Sequence, residues 1–303
     1  MKGLTSSCIL HTCCASMQAT AAERASIEQD LGVVLAAQAG ASAWCFIGAE
    51  SERLRPGERM FVLPLGQPGR RVIIAQDRVA ASSSSFRSGG MVWDAGEELA
   101  CWLCTDEAVD ALGAPLSDFG AALELGAGVG LVSVTLALRG VERVVATDGD
   151  VGLCELAASN AVRNGVASQM RALPLAWGDG DPTEVVRALG GSSPLILAAD
   201  CLYDWGPRSS DELERTLRTL IGRGGCRRLC FCWRVRNFRE ERFLPRLADL
   251  GRVRTVWRSR GGDAPPAAGD GDPAFDAWAG RNLGTRVISL LEVESTTPNG
   301  QRH

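Results

Sequence analysis

Leu123-Glu124-Leu125-Gly126-Ala127-Gly128-Val129-Gly130-Leu131 is the stretch on which the fold of this chain turns. Ala121 to Leu125 is a short apolar run that enters a glycine loop, and Leu131 to Leu138 is an apolar helix stopped by Gly140. Glycines at this junction let the chain turn sharply and let a ligand approach the backbone closely. The spacing is GxGxG, not the GxGxxG of dinucleotide binders. Arg143 to Asp148 reads as the next strand, with an acidic end 20 residues after Gly128. A carboxylate there can grip the two hydroxyls of a ribose.

The same alternation extends outward. Leu99 to Leu112 is expected to be a helix. Val151 to Arg163 is another, closed by Asn164-Gly165. Residues 169–177 form a third strand, and Leu195 to Asp200 a strand buried on both sides. Leu213, Leu217 and Leu220 share one face of a helix over Asp211–Ile221. Arg228 to Val235 is a strand, Glu240 to Leu250 a helix, and Val253–Trp257 with Val287–Val293 a final strand pair. This order predicts an α/β fold: a mostly parallel sheet covered by helices on both faces, closed by an antiparallel strand. Upstream, Met60–Leu63 and Arg71–Ile74 flank Gly66-Gln67-Pro68-Gly69 and read as a β-hairpin.

Three further motifs stand in order around the glycine loop: Gly90-Met91-Val92-Trp93-Asp94-Ala95, Leu175-Ala176-Trp177-Gly178, and Ala198-Ala199-Asp200-Cys201-Leu202-Tyr203. The glycine loop with Asp148 resembles the first βαβ unit of class I S-adenosylmethionine-dependent methyltransferases. The set of four resembles family 16 of that class, which contains many protein-lysine methyltransferases. The resemblance covers about residues 89–260 and resumes at 285–295. It implies a Rossmann-like seven-stranded methyltransferase fold and S-adenosyl-L-methionine as cofactor. It implies that Gly126, Ala127 and Gly128 wrap the methionine part and that Asp148 takes the ribose. Trp177 lies near the adenine, Trp93 contacts the cofactor, and Ala199 lines the site. Glu124 holds either the loop or the cofactor's amino group. Asp200 and Tyr203 are the catalytic pair, receiving and orienting an acceptor amine.

The expected organisation is a tail and helix over 1–40, with the helix at Ala19–Ala39. A hairpin extension spans 41–88 and the methyltransferase domain spans 89–295, with an insertion at 261–284. A short tail spans 296–303. Of the 32 basic residues only Lys2 is lysine, and the net charge is -4. An acidic balance disfavours a general nucleic-acid or anionic-membrane binder. No apolar run reaches the roughly 18 residues of a membrane helix. Eleven scattered cysteines point to free thiols in a reducing, cytoplasmic compartment, Cys101-x-x-Cys104 included. Residues 1–18 contain no acid, and organelle targeting is the alternative there. The two histidines, His11 and His303, lie in the tails and offer neither histidine catalysis nor a metal site. Twelve arginines against three acids between Arg223 and Arg260 suggest a docking surface for an acidic protein partner.

The preferred reading is therefore a protein-lysine methyltransferase. A small-molecule N-methyltransferase and a non-catalytic S-adenosylmethionine-binding module remain as alternatives. Nucleic-acid adenine methyltransferases place two prolines where Cys201 and Leu202 stand, and the chain has no Pro-Cys dipeptide for cytosine-C5 chemistry.

Overall fold

The computed structural model describes residues 33–35, 45–47, 58–63, 70–77, 89–191, 194–201, 207–235, 243–259 and 285–293. Four strands precede the main sheet: β1 (Val33–Leu35), β2 (Cys45–Ile47), β3 (Glu58–Leu63) and β4 (Arg70–Ala75). β3 and β4 pair antiparallel, with Met60 opposite Ile73, as the hairpin motif requires. The helix expected at Ala19–Ala39 gives way at Val33–Leu35 to a strand paired with β2. Two adjacent β-branched valines favour extended backbone over the surrounding alanine-rich helix propensity. The rest of that span, the 261–284 insertion and the 296–303 tail lie outside the described residues.

Next come helices α1 (Asp94–Trp102) and α2 (Asp106–Leu112), then β5 (Ala121–Leu125), α3 (Leu131–Leu138), β6 (Arg143–Asp148) and α4 (Val151–Arg163). They are followed by β7 (Met170–Pro174), α5 (Thr183–Ala188), β8 (Leu195–Ala199), α6 (Pro207–Gly224) and β9 (Arg228–Arg234). β10 (Gly251–Arg258) and β11 (Arg286–Val293) complete the chain. One seven-stranded sheet runs β10-β11-β9-β8-β5-β6-β7. β5 through β9 are mutually parallel, and β11 lies antiparallel between β9 and β10.

Alternating side chains feed two separate cores, one per face. Ala122, Ala146, Leu197, Cys230 and Ile288 pack with α1, α2, α3, α4 and the β3–β4 hairpin. Leu123, Leu125, Val145, Ile196, Phe231 and Leu291 pack with α5 and with Leu213, Leu217 and Leu220 of α6. Each leucine taken fully out of water adds roughly 2 kcal/mol. This two-sided burial makes the strands read as continuous apolar runs.

Two helices differ from expectation. The helix over Leu99–Leu112 is broken at Thr105, whose backbone is extended. The Thr105 hydroxyl accepts from the Ala108 N–H at 3.2 Å and donates to the Trp102 carbonyl at 2.7 Å, so it closes one helix and caps the next. Thr105→Ala is expected to cost about 1 kcal/mol in urea unfolding, the usual loss for an N-cap. In place of a helix over Glu240–Leu250, Leu244–Leu247 forms a short 3-10 helix with Pro245 in its first turn, while residues 236–242 lie outside the described set.

α1 is fixed by three acids, each paired with an arginine from elsewhere. Asp94 meets Arg234 of β9 at 3.1 Å and Glu97 meets Arg59 of β3. Glu98 meets Arg286 of β11 at 3.0 Å, and that pair is buried. The helix carrying Trp93 at its N-cap is thereby tied to two sheet strands and to the hairpin.

Candidate active site

Side chains are buried along β5, β6 and β8, then become partly exposed together at Gly126, Ala127, Asp148 and Ala199. Those positions are the carboxyl ends of three adjacent strands. β5 lies between β6 and β8, so the chain's path reverses there. Ligands in open α/β sheets bind at such a switch point.

The glycine loop is built from below by Glu124. Its carboxylate accepts from the Ser133 N–H at 2.8 Å and from the Ser133 hydroxyl, capping the first turn of α3. Burial pushes the Glu124 carboxyl up to about 8, against the pull of those two bonds. Of the two roles expected for Glu124, its contacts are those of a loop brace. β6 secures the other side: Ala127 donates to the Thr147 carbonyl and Thr147 donates from its hydroxyl to the Glu124 carbonyl, both at 2.8 Å.

Two glycines are dictated by space as well as by backbone. Gly126 has φ 61° and Gly128 has φ 51°. A Cβ on Gly126 would sit 2.7 Å from Cys201 Sγ and 3.3 Å from the Trp177 ring. A Cβ on Gly128 would sit 2.6 Å from the Gly89 carbonyl oxygen. Trp177 and Cys201 therefore back the loop at Gly126, while Gly89 lies against it at Gly128.

Asp148 faces the same loop. One carboxylate oxygen accepts from the Gly128 N–H at 3.0 Å and the other from the Asp150 N–H at 3.0 Å. Burial raises its carboxyl above the ordinary range. The Gly149 N–H also bonds this carboxylate, and of its four acceptor sites one is left for a hydroxyl donor. Trp93 is 44% exposed, unusual for an indole in a chain with this much core. Its carbonyl accepts from Gly96 and Glu97 and so starts α1.

Asp200 follows β8 directly. It is buried, and with φ 55° it is the non-glycine residue held in the left-handed region among those described. Its N–H donates to the Cys232 carbonyl of β9 at 2.7 Å. This turn ends the parallel ladder and changes the direction of the chain before Cys201 packs behind Gly126. The expected catalytic partner Tyr203 lies outside the described residues.

Sequence reasoning passed over Ser133, Cys201 and Gly89. Cys201 donates its thiol to the Leu125 carbonyl at 3.1 Å, and burial holds the thiol well above its usual range. It is a neutral wedge. Among the described residues no group of three or more His, Cys, Asp or Glu is gathered as metal ligands would be. No described helix is long and apolar enough to cross a membrane.

Some of the described arginines of the Arg223–Arg260 segment are paired within the molecule. Arg223 lies 3.9 Å from Asp181, Arg246 2.7 Å from Asp211, and Arg254 3.5 Å from Glu292. Arg228 stacks over Phe119. Arg227 and Arg252 face solvent, and Arg236, Arg239, Arg242 and Arg260 lie outside the described residues. A cleft of about 410 Å³ bounded by Phe119, Arg227, Arg228 and Glu292 opens at the amino ends of β8 and β9. It is at the opposite end of the strands from the glycine loop.

A family model described as lysine methyltransferase matches residues 74–249, from the end of β4 to just before β10. The chain belongs to methyltransferase family 16. This family-16 enzyme is a methyltransferase, and its cofactor is S-adenosylmethionine. The residues fit that cofactor: a glycine backbone where no Cβ has room, a carboxylate at the end of β6, and the Trp177 indole beside Gly126. A search of curated proteins found no match. Among solved structures, the O-methyltransferase TomG of Streptomyces achromogenes, in complex with S-adenosylmethionine, is similar at 15% identity and TM-score 0.39, over 72% of this chain and 92% of that one. An O-methyltransferase from Bacillus cereus in complex with S-adenosylhomocysteine is similar at 13% identity and TM-score 0.37, over 71% and 96%.

Proposed function

We propose that this family-16 enzyme methylates the side-chain amine of lysine in a protein substrate. The observation that carries the reading is Asp200, a buried carboxylate held in a left-handed turn at the strand end next to the glycine loop. The family's description as lysine methyltransferase supports the same acceptor.

When bound, S-adenosylmethionine supplies an electrophilic methyl on a positively charged sulfur. To accept that methyl, an acceptor nitrogen would have to arrive with a free lone pair. A lysine amine near pKa 10.4 is charged at neutral pH. Asp200 receives it as the ammonium. Desolvation then favours the neutral amine, its proton departs to water, and Asp200 orients what remains through a hydrogen bond. Tyr203, three residues on in the same motif, is proposed as the partner of Asp200 toward the acceptor. Gly126, Ala127 and Gly128 wrap the methionine part, Asp148 accepts from a ribose hydroxyl and Trp177 packs by the adenine. Ala199 lines the floor, and Trp93 offers its ring face to the sulfonium. The seven cysteines from Cys101 to Cys232 are buried free thiols, which suits the reducing cytoplasm in which we place the enzyme.

Calorimetry with S-adenosylhomocysteine tests the cofactor site, and binding at micromolar ligand is expected. Tritiated methyl transfer into a lysate of the source organism, followed by mass spectrometry of labelled bands, tests the acceptor. Methyl-lysine on a protein supports the proposal. Label confined to small amines, or no transfer despite cofactor binding, would overturn it.

A further inference from the structure

We propose that Asn160 is a positioning residue for the cofactor, and that the hairpin segment Ala75–Asp77 is the arm through which it acts. This rests on the assignment of S-adenosylmethionine to the glycine loop and goes beyond it, because none of these residues is placed against the cofactor.

Asn160 is fully buried in the last turn of α4. Its amide nitrogen donates to the Val129 carbonyl at 2.8 Å, inside the glycine loop, and to the Ala75 carbonyl at 3.0 Å, at the end of β4. Its amide oxygen accepts from the Ala75 N–H at 2.9 Å. One side chain thus ties the loop to the hairpin. The two residues after Ala75 reach the opposite wall. Gln76 accepts from the Val92 N–H at 2.9 Å, and the Asp77 N–H donates to the Gly90 carbonyl at 2.8 Å. The segment so held runs from Gly89, which abuts Gly128, to Trp93. The loop and its facing segment are consequently spaced by a single rigid bracket made of Asn160, Ala75, Gln76 and Asp77.

Asn164, one helical turn on and only half-buried, provides a control for the edge-strand bonds. It accepts from the Ile73 N–H at 2.9 Å and donates to the Ile73 carbonyl at 2.8 Å, repeating the same edge-strand bonds, and its other donor bond, at 2.8 Å, goes to the Asn160 carbonyl within its own helix. It has no bond to the glycine loop among those described. Asn160→Asp and Asn164→Asp each keep shape and acceptor, delete an amide donor that serves two carbonyls and add a carboxyl, which at Asn160 faces the Arg163 guanidinium 3.3 Å from the amide oxygen.

The test measures S-adenosylhomocysteine affinity by calorimetry, thermal unfolding, and the split between KM and kcat. Asn160→Asp is expected to weaken binding about tenfold and to raise KM for S-adenosylmethionine equally, with kcat at saturating cofactor within twofold of wild type. Asn164→Asp is expected to lower the unfolding temperature less than Asn160→Asp does, because its new carboxyl is half-exposed, and to leave affinity within twofold. Equal loss of affinity in both variants, or none in Asn160→Asp, overturns the proposal. If Asn160→Asp does not fold, Gln76→Leu probes the bracket from its other end. A severalfold loss of affinity supports the proposal there, and unchanged affinity overturns it. Failure of the wild type itself to bind is a separate result, which removes the cofactor assignment and this proposal with it.

Discussion

Asp200→Asn is expected to lower methyl transfer by on the order of 1,000-fold while S-adenosylhomocysteine affinity stays within about twofold. Asparagine is the informative replacement because it matches aspartate in shape and tolerates the left-handed backbone seen at φ 55°. It removes the charge that draws in an ammonium ion and keeps the bond from its N–H to the Cys232 carbonyl. Asp200→Gly separates chemistry from conformation. Glycine relieves the cost of that φ, of order 1 kcal/mol, so the variant is expected to be no less stable than wild type in urea and equally inactive. Asn and Gly variants that turn over within threefold of wild type would remove Asp200 from the site.

Glu124→Gln is expected to flatten much of the pH dependence of stability. The Glu124 carboxyl moves from 4.5 to about 8 on folding, chiefly through burial. Protonation is thus favoured in the folded state. The full benefit is present below pH 4.5 and is lost as pH rises toward 8. At one proton over that window the slope is about 1.4 kcal/mol per pH unit, or roughly 3 kcal/mol by pH 7. A glutamine keeps an acceptor for the Ser133 N–H and has no proton to lose. The variant is expected to gain roughly that amount over wild type at pH 7, with little difference at pH 4, in urea midpoints taken at each pH. A residual slope stays with Glu97, which burial raises to about 7 beside Arg59. Identical pH profiles for the two proteins would show that Glu124 is ionised in the folded state.

What could be read from the sequence was local. A strand, a glycine turn and an apolar helix occupy consecutive residues, and their chemistry names them. Asp148 and Asp200 stand at strand ends that composition alone reveals. The break at Thr105 was masked by apolar residues spaced as in one continuous helix. Its signal was present in a threonine followed by Asp106 and Glu107, acids that suit a helix start. Cys201, Gly89 and Asn160 were harder, because each acts on a residue far along the chain. Cys201 meets Leu125 across 76 positions and Asn160 meets Ala75 across 85. Such contacts exist only after the sheet order is set. The pairing of the arginine surplus was hidden for a related reason: Asp94, Asp181, Asp211 and Glu292, which meet Arg234, Arg223, Arg246 and Arg254, belong to other elements, so these four ion pairs exist only in the folded chain.

The placement of β11 bears on how this enzyme is made. Chain order would put β10 beside β9, yet the seat between them is taken by residues 286–293. During synthesis the cofactor end of the sheet leaves the ribosome with the edge of β9 open and β10 without a neighbour. Cys230, Cys232 and Trp233 sit on that open edge. Closure waits for residues 286–293, whose two rows of backbone bonds then form together. An unpaired apolar strand is a template for the wrong partner. The nascent enzyme is therefore most exposed to misassembly in the interval when its glycine loop has been synthesised and β11 has not.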